Sequence, residues 1–104
     1  MNKYKLVITD QMTQDTNDFI TYKLQKGTYP EHINKFRKQL LDYLSSLLIF
    51  PNSGTKLDTR VNINTNVRFH SIEDCVVFYE VINMNIVVLR LIPSNANWMK
   101  IIIN

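Results

Sequence analysis

The residues of this sequence that are best placed to do chemistry are Arg68 and His70, two positions apart in a stretch of alternating character. Residues two apart on a β-strand share a face, so a strand here would present both side chains on one surface. An arginine can bind a phosphate or an acidic partner, and a histidine can act as a general base near neutral pH. A structural interpretation is also open: Arg68 pairs with Glu73 or Asp74, and His70 is a surface residue without a role.

A second pair of charges, Glu80 and Arg90, lies inside a long apolar stretch that reads as a β-hairpin, residues 75–82 followed by residues 86–92. An unpaired charge is costly to bury, so the hairpin should place both charges where they can reach each other. A three-residue turn at residues 83–85 does so, because the two charges become diagonal neighbours on one face. The sequence therefore predicts an ion pair between Glu80 and Arg90.

The same turn divides the hairpin into two faces. One face is wholly apolar and is expected to pack on helices; it comprises Cys75, Val77, Tyr79, Val81, Val87, Leu89 and Leu91. The other face carries the two charges among apolar residues, namely Val76, Phe78, Glu80, Ile82, Ile86, Val88, Arg90 and Ile92. A half-apolar face that is exposed to solvent is typical of a protein-binding surface. We therefore expect Phe78, Glu80, Ile82 and Val88 to contact a partner protein.

The elements that must position these residues follow from periodicity. YKLVIT at residues 4–9 is a first strand, and helical spacing predicts a helix over residues 13–26, with Gly27 just past its end. A stronger helical repeat begins near Pro30 and stops at Pro51. Residues 52–66 are polar and irregular, with a possible edge strand at Val61 and Ile63, and the period changes to two from Val67 onward. Residues 98–103 fit either a strand or a short helix.

This order predicts an α+β fold in one domain, residues 1–104. Two antiparallel helices would pack on a twisted antiparallel sheet that begins with the N-terminal strand and continues as a β-meander.

Composition narrows the classes of function. The 104 residues carry a net charge of +3, a mildly basic balance that either serves solubility or attracts a negatively charged partner, nucleic acid or an acidic protein segment. Cys75 is the single cysteine, so an intramolecular disulfide or a cysteine-pair metal site is impossible, and the two glycines cannot form a glycine-rich phosphate loop. No apolar run is long enough for a signal peptide or a membrane span. We expect a cytoplasmic protein without membrane contact, metal or cofactor.

The order of these motifs resembles the RelE/ParE family, the toxic halves of type II toxin–antitoxin modules. The resemblance covers most of the chain. The resemblance rests on five segments: YKLVIT, the helix end LLIFPNSG, VRFHSIED, the core strand VFYEV and the last strand VVLRL.

The resemblance implies a growth-inhibiting toxin held inactive by a cognate antitoxin, with operator DNA contacted only through the antitoxin. Some members cut messenger RNA on the ribosome as metal-independent endoribonucleases, and others inhibit DNA gyrase. For the ribonuclease activity, Arg68, His70 and Arg90 would be the catalytic residues, and Lys56 and Arg60 would contact the RNA backbone. Tyr79 matches the family's core-strand tyrosine, whereas Val76 and Pro93 stand where ribonuclease members carry an arginine and a histidine.

Four interpretations follow. Ribosome-dependent mRNA cleavage is favoured slightly, because Arg68, His70, Lys56 and Arg90 could assemble a cationic site. Inhibition of DNA gyrase is the alternative within the family. A non-toxic binding module of the same fold, or a nucleic-acid-binding domain without catalysis, is the alternative outside it.

Overall fold

The computed structural model describes residues 4–59 and 65–103. The described elements are β1 (Lys5–Ile8), α1 (Asp10–Gln25), α2 (Pro30–Ser46), β2 (Thr55–Lys56), a 3-10 turn (Leu57–Thr59), β3 (Arg68–Ile72), β4 (Cys75–Ile82), β5 (Asn85–Pro93) and α3 (Trp98–Ile103). The sheet order is β1-β5-β4-β3-β2. The predicted α+β order is confirmed, with one difference: β1 runs parallel to β5. The two helices carry the chain from β1 to the opposite edge of the sheet, and the antiparallel strands β2 to β5 then lead back to β1. The predicted edge strand at Val61 and Ile63 lies outside the described residues.

Both long helices have identifiable ends. α1 begins three residues earlier than predicted because Thr9 caps it: the Thr9 Oγ1 accepts a hydrogen bond from the Met12 backbone N–H at 3.0 Å. The chain leaves α1 through Gly27, whose φ of 85° favours glycine. α2 begins at Pro30, in keeping with proline in a first turn, and ends at Ser46, ahead of Pro51.

One side of the sheet packs on α1 and α2 and forms the main core. The buried members of this core are Met12, Phe19, Ile20, Ile33, Phe36, Leu40, Leu44, Leu47, Ile72, Cys75, Val77, Tyr79, Ile86, Val88 and Leu91. The predicted face of β4 is confirmed, since Cys75, Val77 and Tyr79 are all fully buried there.

The predicted face of β5 is wrong at Ile86 and Val88, and the turn explains why. The turn is two residues long, Asn83 and Met84, so that Ile82 pairs with Asn85. This register alone would move every side chain of β5 to the face opposite the predicted one. A β-bulge interrupts it, because Phe78 pairs with Arg90 and Tyr79 with Val88. The extra residue is Leu89. Ile86 and Val88 before the bulge, and Leu91 after it, therefore all reach the main core.

The opposite side of the sheet, which the sequence predicted to be an open face, is partly covered by other residues of the chain. A second core lies there, formed by Leu57, Val76, Phe78 and Ile92 with the partly buried Phe69, Trp98 and Ile102. α3 supplies the cover: the Trp98 ring lies 5.5 Å from that of Phe78 and 5.8 Å from that of Phe69. The part of this side near the hairpin turn and β1 stays accessible, with Ile82 46% and Val7 41% exposed.

Candidate functional site

Arg68 and Tyr79 fasten the α2–β2 loop, residues 47–54, to the sheet. The hydroxyl of the buried Tyr79 donates to the Pro51 carbonyl at 2.9 Å and accepts from the Gly54 N–H at 2.8 Å. Arg68 Nη1 donates to the carbonyls of Gly54, at 2.8 Å, and Asn52, at 3.1 Å. Gly54 is required here, because a Cβ at that position would lie 2.7 Å from the Tyr79 hydroxyl oxygen.

These contacts replace the ion pair that the sequence allowed for Arg68. The observed acceptors of Arg68 are backbone carbonyls, and Asp74 instead binds Lys23 of α1. The arginine therefore holds a loop in place, and two of its five N–H groups are used in doing so.

His70 lies on the helix side of β3 and stacks on Tyr43 of α2. The two rings are parallel within 6° and their centroids are 4.0 Å apart. Burial lowers the pKa of His70 below its ordinary value and raises the pKa of Tyr43 above its own. Near neutral pH the pair is thus uncharged, and His70 stays exposed enough to meet solvent or a partner.

Arg90 forms its ion pair with Asp15 of α1, so the predicted pair with Glu80 is wrong. Arg90 Nε lies 2.7 Å from Asp15 Oδ2, and Arg90 Nη2 lies 3.0 Å from Asp15 Oδ1. Asp15 Oδ2 also accepts the backbone N–H of Leu91 at 3.1 Å. The hydrogen bonds that Arg90 donates to Asp15 raise the pKa of Arg90 above its ordinary value, which keeps the guanidinium charged.

The cause of this pairing is the length of β1. That strand ends at Ile8, opposite Val88, whereas β5 continues to Pro93. Beyond Val88 the edge of β5 has no strand beside it, and α1 starts at that point of the chain. Thr9 donates to the Val88 and Leu89 carbonyls, and Asp15 binds the next free N–H. The edge is thereby satisfied without a neighbouring strand.

Sequence reasoning missed Asp15 as a site residue because Asp15 falls in the first turn of the helix predicted over residues 13–26, where acidic side chains are common. The signal was present: Asp15 lies three residues after Met12 and four before Phe19, which is the spacing of the buried side of α1. A carboxylate within an apolar helix stripe predicts a cationic partner across the core boundary.

The proposed catalytic residues do not converge. Arg68 and His70 are on β3 and Arg90 is on β5, with β4 between them, so the backbones are roughly 10 Å apart. His70 reaches towards α2, whereas Arg90 reaches towards α1. Lys56 is exposed on β2, next to Arg68 in the register, and Arg60 lies outside the described residues.

Two of the proposed partner-binding residues are buried and two are accessible. Phe78 and Val88 are fully buried, so the expectation that they lie on an open face is wrong. The two-residue turn places Val88 on the helix side of the sheet, and α3 covers Phe78. Ile82 and the half-buried Glu80 remain accessible near the hairpin turn.

The described residues contain no cluster of three His, Cys, Asp or Glu side chains arranged to hold a metal ion. Among the described helices, none has the length and apolar content to cross a membrane.

Comparison with known proteins identifies the class to which this fold and arrangement belong. The fold is similar to a solved structure described as "Chromosomal ParDE TA system from P. aeruginosa", with a TM-score of 0.72, 18% sequence identity, and coverage of 91% of this chain and 100% of that chain. A model of the family described as ParE toxin of type II toxin-antitoxin system, parDE, matches residues 6–98. The chain belongs to this ParE toxin family. A search of curated proteins gave no significant match.

Proposed function

We propose that this chain is the toxin of a type II toxin–antitoxin module and that it stops growth by binding a protein target. DNA gyrase is the target that the ParE-like resemblance implies. A cognate antitoxin holds the toxin inactive, and operator DNA is contacted through that antitoxin.

The observation that supports a binding mechanism is that Arg68 and Arg90, two of the proposed catalytic residues, both make contacts within the fold. Arg90 is held in a two-point ion pair with Asp15, and Arg68 is bound to two loop carbonyls. Cleavage of RNA needs a cation on the phosphate and a base at the 2′-hydroxyl, both reaching the same nucleotide. An arginine whose donors face a buried carboxylate is a poor ligand for a phosphate on another surface.

Ribosome-dependent mRNA cleavage remains the second candidate because of His70. This histidine is exposed, stacked on Tyr43 and held neutral near pH 7, which are properties of a general base. The two mechanisms therefore differ in the role of a single side chain.

The test is induction of the chain from a tightly repressed promoter in a bacterial host, with viable counts taken over time. We expect growth to stop, and to resume when the neighbouring open reading frame is co-expressed. Undiminished growth with abundant soluble chain would contradict the toxin assignment and support a non-toxic binding module.

The mechanism is tested in the same cells with the variant His70→Ala. A binding toxin keeps its toxicity in this variant, and gyrase-linked DNA breaks accumulate while transcripts stay intact. Loss of toxicity in His70→Ala, together with cleaved ribosome-bound transcripts in the wild type, would establish the ribonuclease instead.

A further inference from the structure

The α2–β2 loop carries two large apolar side chains in solvent. Ile49 and Phe50 are each 64% exposed, whereas Leu47, two positions before Ile49, is fully buried. Exposed apolar residues occur singly on most surfaces, but two bulky ones in succession on a short connection are unusual and suggest an interaction site.

The backbone under these two side chains is fixed. The N–H groups of Ile49 and Phe50 both bind the Ser46 carbonyl, at 3.1 and 2.9 Å, and the Phe50 carbonyl accepts the Ser53 N–H at 3.1 Å. Beyond them, Tyr79 and Arg68 hold Pro51, Asn52 and Gly54. A loop held in this way loses little conformational freedom on binding, which favours affinity.

The surroundings of the two side chains are polar and then basic. Asn52 and Ser53 are exposed beside them, and residues 43–55 contain no charged side chain. Along the chain, the first charged side chain after this neutral stretch is the exposed Lys56, and its register partner on β3 is the half-buried Arg68. Asp42, which precedes the stretch, is paired with Lys38. An apolar centre with a polar margin and positive charge at one side fits a surface with an apolar pocket and carboxylates at its rim.

We propose that the α2–β2 loop is the surface with which this toxin binds its target, and that Phe50 and Ile49 fill an apolar pocket rimmed by acidic residues on a folded protein. The inference rests on the proposed function and adds the residues of contact. The partner must be folded, because projecting side chains need a preformed pocket to enter. A disordered antitoxin segment would instead need a groove on this chain to lie in.

The test compares loop variants with a matched variant at the other end of α2. Phe50→Ser and Ile49→Ser remove the apolar contact, and Lys56→Glu reverses the charge beside it. Tyr29→Ser is the control: Tyr29 is 67% exposed and lies at the N-terminal end of α2, about 25 Å along the helix axis. All four positions are exposed, so each variant should unfold within about 3 °C of the wild type.

We expect Phe50→Ser to weaken binding to purified DNA gyrase by roughly 30-fold, as for loss of one buried aromatic anchor, and to restore growth on induction. Lys56→Glu should weaken binding less and make the residual affinity less sensitive to salt. Tyr29→Ser should bind and arrest growth like the wild type. All four variants should still co-purify with the product of the neighbouring open reading frame.

The outcomes separate this inference from the function on which it rests. Growth of cells expressing the wild-type chain overturns both. Arrest by the wild type and equal arrest by Phe50→Ser and Ile49→Ser overturns the loop alone. Loss of co-purification in the loop variants, with toxicity retained, would assign the loop to the antitoxin and would likewise overturn the inference.

Discussion

At the scale of single residues, Asp15 is the one charged side chain that is buried in the described part of the chain. Its carboxylate, 8% exposed, accepts two donors from Arg90 and one from the Leu91 backbone. A buried carboxylate is tolerated only with such partners, and removal of either side leaves the other unsatisfied.

The variant Asp15→Asn should lose about 2–3 kcal/mol of unfolding free energy, because the amide cannot replace a charged two-point contact to Arg90. Urea denaturation followed by circular dichroism measures the loss. Asp18→Asn is the control, since Asp18 is exposed one turn further along α1 and binds only Gln14 among the described contacts; it should change stability by less than about 0.5 kcal/mol. Equal stability of the two variants would contradict the assigned role of Asp15.

His70 should titrate below the ordinary histidine value of about 6.5, because the Tyr43 ring and the helix side of the sheet partly shield the imidazole from water. The lowered pKa means that the unfolded chain binds a proton before the folded one does. The contribution of His70 to stability is therefore complete above the unfolded value and decreases as the pH falls towards the folded value. An NMR titration of the His70 ring protons measures the midpoint, and Tyr43→Ala should raise it; an unchanged midpoint in that variant would refute burial by Tyr43 as the cause.

Some residue roles could be predicted from the sequence and others could not. Cys75 was expected to be a small core residue, and it is fully buried, with burial raising its pKa to about 12. Arg90 was expected beside Glu80, but its partner lies 75 positions away in the chain. Local spacing carries no information about such a contact, although an acid within an apolar helix stripe hints that a partner exists.

At the scale of elements, the strands were easier to place than their faces. β4 was predicted with the bounds Cys75–Ile82 that the structure has, because a β-branched run between two turns leaves little choice. The faces of β5 were not predictable, since one bulge residue reverses the alternation partway along the strand. A periodic pattern cannot reveal a bulge when the residues on both sides of it are apolar.

The turn between β3 and β4 contains a strained position that tests this description. Glu73 has a φ of 53°, in the left-handed region that disfavours residues with a Cβ. Glu73→Gly should raise the unfolding free energy by about 0.5–1 kcal/mol, because relief of the strain outweighs the greater freedom of glycine in the unfolded chain. Glu73→Ala removes the same charge and keeps the Cβ, so it should show no such gain. A gain of equal size in both variants would point to charge and contradict the backbone argument.

At the scale of the whole molecule, α1 and α2 cover one side of the sheet, and α3 with the 3-10 turn covers the Val76, Phe78 and Ile92 part of the other. The sequence left residues 98–103 undecided between strand and helix because six residues are too few for periodicity to distinguish them. The second core was therefore not predicted, and Phe78 was taken to be accessible.

Trp98→Ala should destabilise the chain by about 2 kcal/mol, less than for a fully buried tryptophan, because Trp98 is half-buried. It should also expose the Val76, Phe78 and Ile92 surface, which fluorescence of a hydrophobic dye would detect. Met99→Ala, at a position of the same helix that is 42% exposed, is the control. Wild-type stability in Trp98→Ala would contradict a second core closed by α3.

The proposed function is tested most directly by a supercoiling reaction in which purified DNA gyrase and relaxed plasmid are titrated with the purified chain. We expect supercoiling to be blocked by the wild type and by His70→Ala at the same concentrations, with linear plasmid accumulating. Full supercoiling at a large excess of folded wild-type chain would contradict a binding toxin directed at gyrase.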